Sequence, residues 1–166
     1  MSTPEVWLRG PLPDYLDELQ PVAHSLLQVR AELGHVSSLA SAQLWMRPGG
    51  AASIGFHLRH LAGSLDRLLT YARGNQLSAA QYEVLANEER EGDESAGTLV
   101  GLAQAAIDRV LTHVRTTPLC TLDEAREVGR DRLPSTVLGL LFHAAEHAQR
   151  HSAQIITTAK VTSGIR

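Results

Sequence analysis

From about Asp14 to Ser37, apolar residues return at steps of three and four: Leu16, Leu19, Val22, Ala23, Leu26, Val29, Leu33 and Val36. That period lays them along one stripe of a helix. Pro21 falls in the first turns, where it marks a helix start or a kink. The stripe breaks at "SLASAQLWMRPGG". Here Ser41 is a candidate cap for a short turn through Trp45, and "RPGG" at 47–50 is a loop signal. A second stripe, "IGFHLRHLAGSLDRLLTYAR", follows Ser53, a good N-cap, and ends before Gly74. Ser78 opens a weaker helix, "AAQYEVLANEER". After the polar loop "EGDES", Ser95 or Thr98 caps a third long helix, "LVGLAQAAIDRVLTHVRTT", which stops before Pro118. "PLCTLDEAREVGRDRL" has mixed character and reads as a long connection. Pro134 and Ser135 then start the last helix, "TVLGLLFHAAEHAQRHSAQIITTAK".

No strand pattern competes with these stripes. The expected fold is therefore all-α: a four-helix bundle with long crossover connections and one short extra helix, residues 1–166 forming a single domain. Connections at 74–95 and 117–134 are long enough that the topology need not run simply up and down. A chain of 166 residues has enough material for a real core. Aromatic residues make up only 4% against 43% apolar residues overall, so that core must be aliphatic, which suits packed helices better than a β-sandwich.

Charge narrows the function classes. The formal net charge is −3, and Lys160 is the only lysine, so the basic footprint of a nucleic-acid binder is absent. No apolar run approaches the ~18 residues that span a membrane. The N-terminal residues lack the basic and apolar regions of a signal peptide. A single cysteine, Cys120, excludes an internal disulfide framework. It lies in a loop with no visible base to activate it and reads as a small loop residue. These features predict a cytoplasmic protein with no nucleic-acid and no membrane partner.

The eight histidines are unevenly spread. His57 and His60 share the second long helix; His143, His147 and His151 share the last, at steps of four; His24, His35 and His113 stand apart. Residues i and i+4 lie one turn apart on one helix face, so His147 and His151 can aim two imidazoles at one point. A residue on a facing helix can supply a third. His60, at the margin of its apolar stripe, is a candidate, and His57, one turn earlier, is the competitor. Imidazole suits Zn, Ni, Fe and Cu, and three protein ligands leave a coordination position for water or substrate. A surface ladder of histidines would show the same spacing. Against that reading, Leu140, Leu141, Ala144, Ala148 and Ile155 make the neighbourhood apolar.

"HLAGSLDRLL", His60 to Leu69, resembles the second-helix motif of the DinB-like (damage-inducible) four-helix-bundle superfamily. "EHAQRHSAQI", Glu146 to Ile155, resembles its last-helix motif, H-x3-H-x2-Q. The pair, in this order and separation, is more specific than either motif, and the helix layout extends the resemblance over nearly the whole chain. That superfamily includes mycothiol-dependent maleylpyruvate isomerase and bacillithiol S-transferases. By position the resemblance implies a divalent metal, Zn or Ni, on His60, His147 and His151. Gln154 sits at the family's spacing after His151, and the "LAGS" after His60 gives it a context that His57 lacks. His143, one turn before the pair, is left as a pocket neighbour or an acid/base residue, with a ligand role for it still open. Glu146 stays in view because some members use Glu in the last-helix pair.

The expected activity is that of a metal-dependent enzyme, a thiol-dependent S-transferase or a hydrolase, acting on a small electrophile, with a low-molecular-weight thiol as a candidate cofactor. The alternatives are a non-catalytic metal-binding or stress-response bundle, and a metal-free bundle that dimerises through helix faces. A homodimer is expected in either case. Of the remaining polar residues, Ser64 either lines the pocket or packs between helices. Arg59 and Arg67 are read as solvated unless a substrate carboxylate meets them. Arg150 is read as pointing away, and Trp45 as packing over the end of the core.

Overall fold

A computed structural model of the chain describes residues 4–164. Its helices are α1 (Gln20–Glu32), α2 (Ser41–Trp45), α3 (Ile54–Ala72), α4 (Ala79–Asn87), α5 (Ala96–Thr116) and α6 (Val137–Ser163). Between α5 and α6 stands an antiparallel hairpin, β1 (Ala125–Val128) and β2 (Leu133–Thr136). The four long helices form an all-α bundle. Each packs on two neighbours, in the cyclic order α1, α6, α3, α5, so α1 faces α3 and α5 faces α6 across the diagonals. Two of the three connections between consecutive long helices therefore cross the bundle: α1 to α3, and α5 to α6 through the long segment 117–136, whereas the other long connection, 74–95, joins the neighbours α3 and α5.

The helix ends follow local chemistry. Pro21 sits in the first turn of α1, where its missing N–H has no partner to lose. The first stripe continues past α1 as a 3₁₀ turn, Leu33–Val36, so its apolar period outlasts its α geometry. Ser53 accepts from the Phe56 amide at 3.1 Å, and Ser95 from the Thr98 amide at 3.1 Å. Ser78 and Gln81 cap α4 reciprocally. Ser41 is not a cap: it is the first residue of α2, and Ala40 occupies the capping position.

The core is aliphatic. Leu26, Leu58, Leu61, Leu65, Ile107, Leu141 and Ile155 are fully buried. Trp45 covers one end of it, and Gly55 is the residue that admits the indole. A Cβ at position 55 would lie 2.7 Å from two of its ring carbons.

The hairpin corrects the sequence reading of 117–134 as plain connection. Pro134 and Ser135 belong to β2, and Thr136 is the true N-cap of α6, accepting from the Gly139 amide at 3.0 Å. Strands of four residues are too short to show a period, and Pro134 argues against a strand by composition. What holds them is tertiary. The Val137 and Leu138 amides donate back to the carbonyls of Glu124 and Leu122. Arg126 Nε donates to the Ala72 carbonyl at 2.8 Å, which pins the hairpin to the C-terminal end of α3.

Candidate metal centre

α3 and α6 form the most extensive helix pair of the bundle, and their histidines meet along it. His57 faces His151, with Nδ1 to Nδ1 at 2.9 Å, and His60 faces His147, with Nε2 to Nε2 at 3.1 Å. The pairing runs in opposite senses on the two helices, as antiparallel neighbours require. One ring nitrogen each from His60, His147 and His151 lies within 4.8 Å of the others, close enough to hold a metal ion.

Two of the three rings are held from behind, each in a different way. Glu88, 3% exposed, bonds His60 Nδ1 at 2.7 Å through one oxygen and Arg67 Nη1 at 2.6 Å through the other. A carboxylate only accepts, so Nδ1 of His60 carries the hydrogen and Nε2 presents a lone pair to the cluster. This is the carboxylate–histidine arrangement that orients metal ligands. His151 has His57 behind it. With Nδ1 of His151 turned to His57, Nε2 is the nitrogen left for the cluster. His147 has nothing behind it, its Nδ1 being buried without a hydrogen-bond partner.

The electrostatics favour lone pairs. Burial first, then the neighbouring His60, His143 and Arg150, lower the His147 pKa to about 4. Burial, then His147, His60 and His57, lower that of His151 to about 3. His57 is lowered too, by burial and by His60. His147 and His151 are therefore neutral near pH 7, the protonation state that metals bind.

The hydrogen count tests the fit of a cation. Neutral His147 has one N–H. If Nε2 donates it to His60, Nδ1 is a buried lone pair with no partner. If Nδ1 keeps it, two Nε2 lone pairs confront one another at 3.1 Å. A cation between the Nε2 atoms turns that second arrangement from repulsive to attractive. The residues present fit a metal.

One side of the cluster is open. His60, His143 and His147 line a cavity of ≈ 490 Å³, together with Ser64, Leu68, Leu77, Leu85, Tyr71, Tyr82 and the hairpin turn. A family model described as the DinB superfamily matches residues 15–155. The chain belongs to the DinB superfamily. A search among curated proteins finds no match.

Within this DinB protein the other predicted residues separate. His143 lines the cavity, its side chain about half exposed, with Nδ1 3.2 Å from the Glu146 carboxylate. Glu146 also pairs with Arg150, so it turns from the cluster toward solvent, and Arg150 goes with it. Ser64 lines the cavity and bonds back to the Leu61 carbonyl at 3.1 Å. Cys120 is exposed. Neither Arg59 nor Arg67 is solvated, contrary to the default reading. Arg59 lies over the Trp45 ring and pairs with Glu94 at 2.6 Å, while Arg67 is buried against Glu88.

Glu88 and the bond between His57 and His151 were not visible in the sequence. Glu88 stands in "NEER", a polar run that looks like a solvated helix end, and no spacing links it to His60. Only the return of α4 onto α3 brings them together.

Proposed function

We propose that the protein is a divalent-metal-dependent enzyme acting on a small electrophilic molecule, as a thiol-dependent S-transferase or a hydrolase. His60, His147 and His151 hold the metal. The observation that supports this is the convergence of three imidazole nitrogens beside an open cavity. An all-imidazole set suits Zn or Ni, and three protein ligands leave room for a further one. When bound, the ion supplies Lewis acidity, which makes water or a thiol a usable nucleophile near neutral pH.

The chain's own residues do the rest. Glu88 fixes the tautomer of His60, and Arg67 keeps the Glu88 carboxylate in place. His57 orients His151. Leu68, Leu77 and Leu85 give the cavity an apolar wall that holds the body of a substrate and excludes water. His143 is the proton carrier: Glu146 accepts from its Nδ1–H, which leaves Nε2 free to take a proton and return it.

On this reading the chain works as one domain in the cytoplasm, on a small molecule. A net charge of −3 supports the absence of a nucleic-acid partner. No helix among the described residues is long and apolar enough to cross a membrane. We include a homodimer in the proposal, with exposed Phe142 on α6 as an apolar side chain for its interface to cover.

Elemental analysis of protein purified without a polyhistidine tag tests the reading. The expected result is close to one Zn or Ni per chain, lost in His60→Ala/His147→Ala and kept in His24→Ala. A wild-type chain that neither retains nor takes up metal after Zn or Ni addition would sink it. If metal binds, a screen of thiols and electrophiles follows. Turnover that disappears in His143→Ala supports the role given to that residue, and metal without any turnover favours a binding module.

A further inference from the structure

The cavity beside the histidine cluster has a one-sided charge. Its titratable lining consists of three histidines, two tyrosines, Arg67 and Arg130, with no carboxylate among them. The two arginines differ. Arg67 is buried, and Glu88 takes its Nη1 inside the wall. Arg130 stands on the hairpin turn and has no ion-pair partner among the described residues. Its hairpin neighbours Arg126 and Arg132 are paired, with Glu124 at 2.8 Å and with Glu127 at 3.2 Å.

Arg130 is nonetheless placed rather than loose. Its guanidinium lies 4.8 Å from the centre of the Tyr82 ring, which also lines the cavity. Stacking on an aromatic face orients the guanidinium plane and leaves its N–H edges available. The stem beneath it is fixed by the Arg126 bond to the end of α3. Gly129, which also lines the cavity, has a φ of 74°, a left-handed conformation suited to glycine, and starts the turn that presents Arg130.

We propose that this cavity takes small molecules with an apolar body and one anionic group, a carboxylate being the simplest, and that Arg130 binds the anion. The inference rests on reading the adjoining cluster as the reaction centre. The guanidinium fork matches a carboxylate through two parallel hydrogen bonds. The leucine wall takes the body, and a volume of ≈ 490 Å³ falls in the range of small-molecule sites. Anchored at the rim, the ligand extends along the apolar wall toward His60 and His147. Arg130 is thus a specificity-determining residue: it selects charged over neutral substrates of the same shape.

The test compares benzoate with benzamide, which are nearly isosteric and differ in charge. Binding to the full chain is measured by calorimetry and ligand-observed NMR, after chelation and again zinc-loaded, with metal content determined on the same samples. In the chelated wild type, benzoate binds about tenfold tighter than benzamide, as a charge-assisted pair requires. Arg130→Gln removes that preference without changing melting temperature or zinc content, and Arg130→Lys keeps part of it. Equal binding of the two ligands by the wild type overturns the inference, as does an Arg130→Gln variant that still prefers benzoate. The two readings fail separately. A benzoate preference that depends on Arg130 in a chain that takes no metal leaves the anion site standing and removes the metal. Zinc binding without any preference does the reverse.

Discussion

Replacing Glu88 by Gln changes one atom in a buried carboxylate, and the structure says what that atom does. Two donors, His60 Nδ1 at 2.7 Å and Arg67 Nη1 at 2.6 Å, converge on two acceptor oxygens. Glutamine offers one oxygen and an NH₂, so one donor is left facing another donor, and Arg67 loses its countercharge in a buried position. Full removal of one partner from a buried pair costs about 3–5 kcal/mol. Gln keeps one hydrogen bond, so about 1–3 kcal/mol is expected for Glu88→Gln and the full figure for Glu88→Ala. The effect on metal is separate. Loss of a carboxylate behind a ligating histidine weakens metal binding about 10–100-fold. Urea unfolding of the chelated protein reads the first effect, and zinc titration against a competing chelator reads the second. Adding Arg67→Met to Glu88→Gln removes the competing donor, so the double variant should be more stable than Glu88→Gln alone. If Glu88→Gln matches the wild type in both urea midpoint and zinc affinity, the carboxylate holds neither His60 nor Arg67, and the account of the centre is wrong.

The chelated protein should lose stability as pH falls. His147 and His151 titrate near 6.5 when unfolded but at about 4 and about 3 in the fold, so between those values the unfolded chain binds more protons. Their contribution is complete above pH 6.5 and drains away toward pH 3. Urea midpoints at pH 7.5 and pH 5 should therefore differ, and His147→Gln/His151→Gln should flatten the difference; an unchanged slope counts against buried neutral histidines. Gly55→Ala would set a methyl 2.7 Å from the Trp45 ring and should cost about 1–3 kcal/mol in thermal melts, with shifted tryptophan fluorescence. Thr136→Ala should cost about 1 kcal/mol and Ser135→Ala much less, since Thr136 is the N-cap of α6; equal losses would put the cap elsewhere.

The long helices were legible because each bears an apolar stripe and opens or closes on a residue whose side chain or φ enforces the boundary. Ser53, Ser78 and Ser95 each accept the amide that their position predicts. That His147 and His151 share a face followed from helical period, and that a histidine of α3 faces them followed from the apolar stripes, but His60 was preferred to His57 only through the resemblance of "HLAGSLDRLL" to the family motif. What could not be read depends on contacts with no local signature. The hairpin exists through its bonds to α3 and α6, not through the propensity of "AREV" or "LPST". Glu88 reaches His60 only after the chain has turned back through α4. Arg67, at an ordinary position on an amphipathic helix, gives no sign in the sequence that its partner is buried.

No side chain of α4 itself is buried. Polar bonds fasten it to the bundle: Gln81 donates to Asp66 at 2.7 Å and to Thr70 at 2.8 Å, and Glu88 just beyond it grips His60 and Arg67. A helix attached in this way detaches at a smaller free energy than the core around it, as a cooperative unit of its own. Its opening would carry away Glu88, Tyr82 and one wall of the cavity while α3 and α6 stay packed. Amide hydrogen exchange across 79–87 is therefore a local gauge of the whole centre. Any ion or ligand that needs the closed arrangement must slow that exchange by the same factor by which it favours closure.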